Sequence, residues 1–224
     1  MKLGVLFSGG KDSYLALQYA SQEHEISCLL TLESEKEDSW MFHTPAIEWT
    51  KLQAEAMNLN YLNLKTSGVK ETELNDLEKI IKSAILQYSV EGIVTGALAS
   101  VYQTTRIQKI CNKLDLWCFN PLWQLPQEVL LKELLSNKIE SIITGVAAEP
   151  FDDSWLGRQI DAECINDLVA LKASHRINPA GEGGEIESFV IHAPLFTKKI
   201  LLSKSKKHYS NFSGNLEILE ASLK

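Results

Sequence analysis

The chain has 224 residues, 45% of them hydrophobic and 23% charged, with a formal net charge of −7. That length and balance suit a globular protein with ample core, and no apolar run approaches the length of a membrane span. The acidic balance argues against sequence-independent nucleic-acid binding, which rests on excess Lys and Arg. The apolar start at 3–7 is too short for a signal-peptide core, so the cytoplasm is the expected location.

The stretch 3–7 predicts a short buried strand, and 14–20 predicts the opening of a helix. Between them lies Ser8-Gly9-Gly10-Lys11-Asp12-Ser13. A glycine-rich turn from a strand to a helix N-terminus offers free backbone N–H groups and the positive end of a helix dipole, which together bind phosphate. A plain turn capped by Asp12 or Ser13 is the blander alternative, but it does not need all six of these residues together. Further strands are predicted at 26–32, 61–65, 92–95 and 117–120. Helices are predicted at 44–57, 71–88 and 102–114, the first with Thr44 as cap and Pro45 in the first turn. Such alternation means a parallel sheet covered on both faces, with ligands beyond the carboxyl ends of its strands.

After Pro121 the pattern loosens. A helix at 126–136, a strand at 141–146 and a helix at 161–173 precede a glycine-rich acidic loop and a strand at 189–192. A β-hairpin is expected from 200–209 and 216–223 around Ser213-Gly214-Asn215. The spacing divides the chain into a nucleotide-binding domain, 1–120, and a smaller α+β domain, 121–224. No Gly/Ser linker separates them, so tight packing is expected.

The loop at 8–13 is not a Walker A loop: the spacing from Gly4 is one residue too long, and Asp12 follows the lysine where a hydroxyl is needed. No G-x-G-x-x-G is present either. SGGKDS instead resembles the pyrophosphate-binding loop of the N-type ATP pyrophosphatases, the PP-loop superfamily. That resemblance implies a five-stranded parallel sheet of the adenine nucleotide alpha-hydrolase (HUP-like) type and cleavage of ATP between its α and β phosphates. The cysteines, Cys28, Cys111, Cys118 and Cys164, form no C-x-x-C pair and have no zinc spacing, which disfavours thiolation chemistry; buried reduced thiols are expected.

Four further segments carry more polar chemistry than a scaffold needs. In 38–45, Trp40, Phe42 and His43 follow the second strand, where a hydrophobic staple is the structural alternative. In 96–111, Gly96 and Ala97 let the backbone approach a nucleotide, and Tyr102, Gln103 and Arg106 begin a helix; a surface ion pair explains Arg106 equally well. In 152–161, Asp153, Ser154, Trp155 and Arg158 fall together before a helix. In 178–189, Glu182, Glu185 and Glu187 crowd into a run with three glycines. Carboxylates held so closely repel one another unless a cation joins them.

The blocks SWMFHTP, LQAEAM, YQTTRI, SWLGR and PAGEGGE, with SGGKDS, resemble those of the diphthine–ammonia ligase family across nearly the whole chain. The resemblance implies ATP-dependent amidation of the diphthine carboxylate on translation elongation factor 2, with ammonium, through an acyl-adenylate. It departs from the family's pattern at Gln108, Ile186, Ser188 and His192, and at Leu125-Pro126. In this reading Ser8, Gly9, Gly10, Lys11, Asp12, Ser13 and Gly96 bind ATP, and Asp12 also reaches Mg²⁺. Asp12, Arg158, Glu182 and Glu185 are the expected catalytic residues, the carboxylates binding ammonium and taking its proton. His43, Tyr102, Gln103, Arg106, Trp155 and Glu187 are the expected substrate contacts. Trp40, Tyr102, Trp123 and Trp155 are candidates for a quaternary-ammonium cage. No glutaminase segment is seen, so ammonia is expected from solution; a homo-oligomer is compatible with the reading. The rivals are another adenylating PP-loop enzyme acting on a tRNA base, for which 198–207 is the one basic candidate surface, and a non-catalytic nucleotide sensor.

Overall fold

The computed structural model describes residues 1–34, 45–67 and 70–224, with side chains undescribed at 70–72. Strands β1 (Lys2–Leu6), β2 (Glu25–Ser34), β3 (Asn60–Thr66), β4 (Gly92–Val94) and β5 (Trp117–Phe119) form one parallel sheet in the order β3-β2-β1-β4-β5. Helices α1 (Lys11–Ser21), α2 (Thr50–Met57), α3 (Lys70–Tyr88) and α4 (Val101–Lys113) connect them. The buried runs in β1 and β2 are what a sheet covered on both faces requires. The order reverses between β1 and β4, so the loops leaving their carboxyl ends diverge there and open a crevice.

The second half contributes α5 (Gln127–Ser136), β6 (Glu140–Ala147), α6 (Ala162–His175), β7 (Ile186–His192), β8 (Ile200–Ser210) and β9 (Ser213–Leu223). Its antiparallel sheet runs β7-β6-β9-β8. One apolar cluster extends from Leu3 and Val5 through Tyr14 and Leu17 on α1 to Phe189 and Ile218. The two sheets therefore share a core, with α1 between them. A smaller cluster on the other face of the parallel sheet joins Leu30 and Ile93 to Leu77 and Ile81 of α3 and Ile107 of α4. No helix among the described residues is long and apolar enough to cross a membrane.

Several predicted boundaries move. Helix α1 begins at Lys11 with Gly10 as its cap residue, so neither Asp12 nor Ser13 caps it. The helix expected from Thr44 is a 3-10 turn over Ile47–Trp49 followed by α2, because Ala46 takes a left-handed φ of 69°. Thr44 itself lies outside the described residues. The hairpin turns at Asn211 and Phe212, whose φ values of 50° and 61° match the tight two-residue turn that suits a twisted ribbon. Gly214 instead sits inside β9, where a Cβ would meet the His208 carbonyl at 2.5 Å. Strand β7 starts at Ile186, three residues before the predicted Phe189, which makes Glu187 and Ser188 strand residues. Cys28, Cys111 and Cys164 are buried free thiols, whereas Cys118 is only partly buried.

Candidate active site

The loop at 8–13 is held by its own polar atoms and by the second half of the chain. Ser13 Oγ donates to the Gly10 carbonyl at 3.0 Å and accepts from Ser8 N and Ser8 Oγ at 3.3 and 3.2 Å. From β7, Val190 N donates to the Gly9 carbonyl at 3.0 Å, and Ser188 Oγ accepts from Lys11 N at 3.1 Å. Buried Gln53 bridges the same strand and loop, its Nε2 donating to Gly9 O at 2.9 Å and Val190 O at 2.7 Å. Gly96, after β4, presses on this loop: a Cβ there would lie 2.8 Å from Ser13 N and from Asp12 C. Its lack of a side chain serves that contact between the two strand-end loops.

A cavity of about 610 Å³ opens at this point. Its floor is the loop at 8–13, one wall is 95–100 with Gln103, and its roof is 181–188. Leu6, Leu30, Leu32 and Ile107 give it an apolar end wide of the charged groups. Lys11 Nζ, almost fully buried, pairs with Asp12 Oδ2 at 2.9 Å, while Asp12 Oδ1 is buried without a hydrogen-bond partner. Glu182 Oε1 accepts from Ala99 N at 3.0 Å, tying the roof to the wall. Burial raises the Glu182 carboxyl above its ordinary range, with the nearby Asp12 adding to it; the Ala99 N–H and Lys11 pull the other way. Glu187 is pushed from the ordinary 4.5 up to about 7 by burial, against the pull of Lys11 and with the repulsion of Asp12.

The remaining expected residues divide. Gln103 lines the cavity and donates its backbone N–H to the Ser100 cap at 3.3 Å. Arg106 stacks on the Tyr102 ring, 3.4 Å from its centroid, and neither lines the cavity. Glu185 is not part of the lining. Its Oε1 accepts from Asn178 N and Nδ2, and its Oε2 accepts from Gly183 N at 2.8 Å, so it closes the loop on itself. Arg158 and Trp155 also stand away: Arg158 pairs with Asp167 of α6 at 2.6 Å and covers the Trp155 ring, which packs edge-on against Phe151. Neither Arg158 nor Trp155 lines the cavity. Trp40, Phe42 and His43 lie outside the described residues.

Two contributors carried no local signal. Gln53 stands out only as part of the LQAEAM block, and Ser188 only as a departure from the family pattern. Both act through partners more than a hundred residues away.

No group of three or more His, Cys, Asp or Glu that could hold a metal exists among the described residues. The unpartnered Asp12 Oδ1 nevertheless fits Mg²⁺, which commonly takes one or two carboxylates and completes its shell with phosphate oxygens and water.

A phosphate-binding loop at the switch point of a parallel sheet, under an acidic roof, defines a nucleotide-binding α/β protein. The descriptions "Diphthamide synthase N-terminal domain" and "Diphthamide synthase C-terminal domain" match residues 1–117 and 126–223. The chain belongs to the diphthamide synthase family. Among curated proteins, the diphthine–ammonia ligase of Bos taurus is 35% identical, covering 92% of this chain and 84% of its own length. The diphthine–ammonia ligase of Homo sapiens is 34% identical with the same coverage. That of Schizosaccharomyces pombe is 33% identical over 96% of this chain but 38% of its own. A solved chain described as a predicted subunit of tRNA methyltransferase, from Methanocaldococcus jannaschii, is 18% identical with a TM-score of 0.45, covering 87% of this chain and 98% of that one.

Proposed function

We propose that this chain is an ATP-dependent ligase that amidates the carboxylate of diphthine on translation elongation factor 2, using ammonium and releasing AMP and pyrophosphate. The observation that carries the reading is the convergence of Lys11, Asp12, Glu182 and Glu187 on one cavity floored by a phosphate loop. Curated relatives named diphthine–ammonia ligase support the substrate class. The reading puts the protein in the cytoplasm, with translation.

A carboxylate resists attack by ammonia until one of its oxygens becomes a leaving group, and adenylation achieves this. The backbone N–H groups of the loop and the Lys11 ammonium would bind the β and γ phosphates as they depart. The apolar end of the cavity, at Leu30 and Ile107, suits a purine ring. Asp12 Oδ1 would hold Mg²⁺, which supplies charge neutralisation for the phosphates. Ammonium must lose a proton before it attacks. Glu187, with a pKa of about 7, is matched to accept it near neutral pH, and Glu182 adds negative charge that attracts the cation.

The test is incubation with diphthine-bearing elongation factor 2, ATP and ammonium, followed by mass analysis of the factor and of the nucleotides. Amidated factor with AMP and pyrophosphate is the expected result. ADP and phosphate, or an unmodified factor, would overturn the reading.

A further inference from the structure

A second cavity, of about 820 Å³, lies beside the first. Its walls are β6 at Gly145–Ala147, the outer part of the β8–β9 hairpin, and the roof loop of the nucleotide cavity. Gly184 and Glu187 line both spaces. Gly184 has a φ of +84°, and a Cβ built on it would meet nothing within 4 Å. Gly184 therefore leaves open space on its Cβ side, at a residue both cavities share. Glu187 is backed by β6, since a Cβ on Gly145 would lie 3.0 Å from Glu187 Cβ and 3.2 Å from Pro45 Cγ. Its carboxyl group stands at the junction.

The lining chemistry limits the occupant. Among the described residues, the cavity's lining contains no Lys or Arg. Lys207, adjacent in sequence, is turned to the Asp153 carbonyl, and Lys204 faces Glu220. A phosphate or nucleic-acid backbone would find no cation there. What the cavity offers is the Glu187 carboxylate and the polar groups of Ser210 and Asn215, which share one face of the sheet. The Tyr209 side chain leaves on the other face, its hydroxyl donating to Phe151 O at 2.9 Å. His208 is held by Glu217, 2.8 Å away. A carboxylate with no lysine or arginine among the described lining residues suits a positively charged side chain. The hairpin itself is exposed at every residue from 203 to 213, a two-sided ribbon available to a protein surface.

We propose that the second cavity receives the cationic, carboxylate-bearing side chain of the protein acceptor, with the β8–β9 ribbon against the acceptor's surface and Gly184–Glu187 as the passage to ATP. The proposal rests on the ligase reading. None of Tyr102, Trp123 or Trp155 lines either cavity, and Trp40 lies outside the described residues.

The test fills the cavity from the exposed ribbon with Asn215→Trp and, separately, Ser210→Trp. Amidation is measured against acceptor concentration, and binding of a non-hydrolysable ATP analogue is measured by calorimetry. Acceptor KM should rise about tenfold or more, the equivalent of about 1.4 kcal/mol of lost binding. Affinity for the analogue should stay within about twofold, as for surface changes elsewhere, which also shows that the variants fold. Unchanged acceptor KM in both variants, beside an active wild type, overturns the second cavity and leaves the ligase reading standing. An equal loss of nucleotide affinity overturns it too. A wild type that does not amidate this acceptor overturns the ligase reading and the occupant together.

Discussion

The phosphate loop at 8–13 and the roof loop at 181–188 are both short, glycine-rich and dense in polar groups, yet they use them oppositely. In the phosphate loop, structure is carried by backbone atoms, a serine hydroxyl and partners on β7 and α2, leaving Asp12 with an unpartnered oxygen and the Lys11 ammonium paired with the other. In the roof loop, the acidic side chains themselves make the structure: Glu185 ties 178 to 183, and Glu182 pins the loop to Ala99. Burial disfavours the charge of both Glu182 and Glu187, and of the two Glu182 is engaged by the Ala99 N–H. A residue available for chemistry is one whose structural duty is done by something else. By that criterion the proposed chemistry falls to Asp12 and Glu187, while the Glu185 carboxylate is taken up by Asn178 and Gly183.

The largest effect should come from Asp12→Ala. With the loop held by other atoms, the melting temperature should stay within about 2 °C while turnover falls about 10³-fold, the scale of losing a charge-stabilising group at a leaving phosphate. Melting and turnover falling together would show that the loop depends on Asp12 for its shape.

Glu187→Gln comes next, with amidation reduced about 10²-fold. The wild-type rate should rise with pH through about 7, as the carboxyl loses its proton, and this limb should disappear in the variant. Stability should move the other way. The folded carboxyl keeps its proton up to about 7, whereas the unfolded one releases it near 4.5, so wild-type stability falls as pH rises between those values. Above pH 7 the full penalty stands, on the order of 3 kcal/mol. The variant should therefore melt higher than wild type at pH 8 and equally at pH 4. Equal melting at both would place the Glu187 carboxylate in a better solvated setting.

The smallest effect is expected for Glu185→Gln, a stability cost of about 1–2 kcal/mol from weakened charge-assisted hydrogen bonds to backbone amides. Adenylation, read by pyrophosphate exchange into ATP, and amide formation should decline by the same factor. Selective loss of amide formation would return Glu185 to the ammonia-handling role expected from sequence.

The parallel sheet was legible because period and punctuation are local: each strand of the first half, and the loop at 8–13, can be read from the residues that form it. The glutamate cluster was also visible, but not its division of labour. Nothing in Glu-Gly-Gly-Glu-Ile-Glu says which carboxylate turns back to Asn178 and which enters β7, because that choice is made by the pairing of β7 with β6. The hairpin turn was misplaced for a related reason. Ser213-Gly214-Asn215 has turn composition, but Asn211 accepts a left-handed φ, and Gly214 is needed where β9 passes the His208 carbonyl. Arg158 and Trp155 drew attention as a rare pair, and they are one, serving each other and α6.

The contact of Gln53 with both Gly9 and Val190 makes the phosphate loop a seam between the two halves. Val190 and Ser188 meet the loop beside it, so strand β7 helps set the backbone geometry there. The halves are consequently not interchangeable cassettes. A lineage, or an engineer, that exchanged everything after residue 120 for another acceptor domain would have to rebuild the phosphate grip as well. New acceptors are reached more readily by varying the free ribbon at 203–213, which can drift without disturbing the seam.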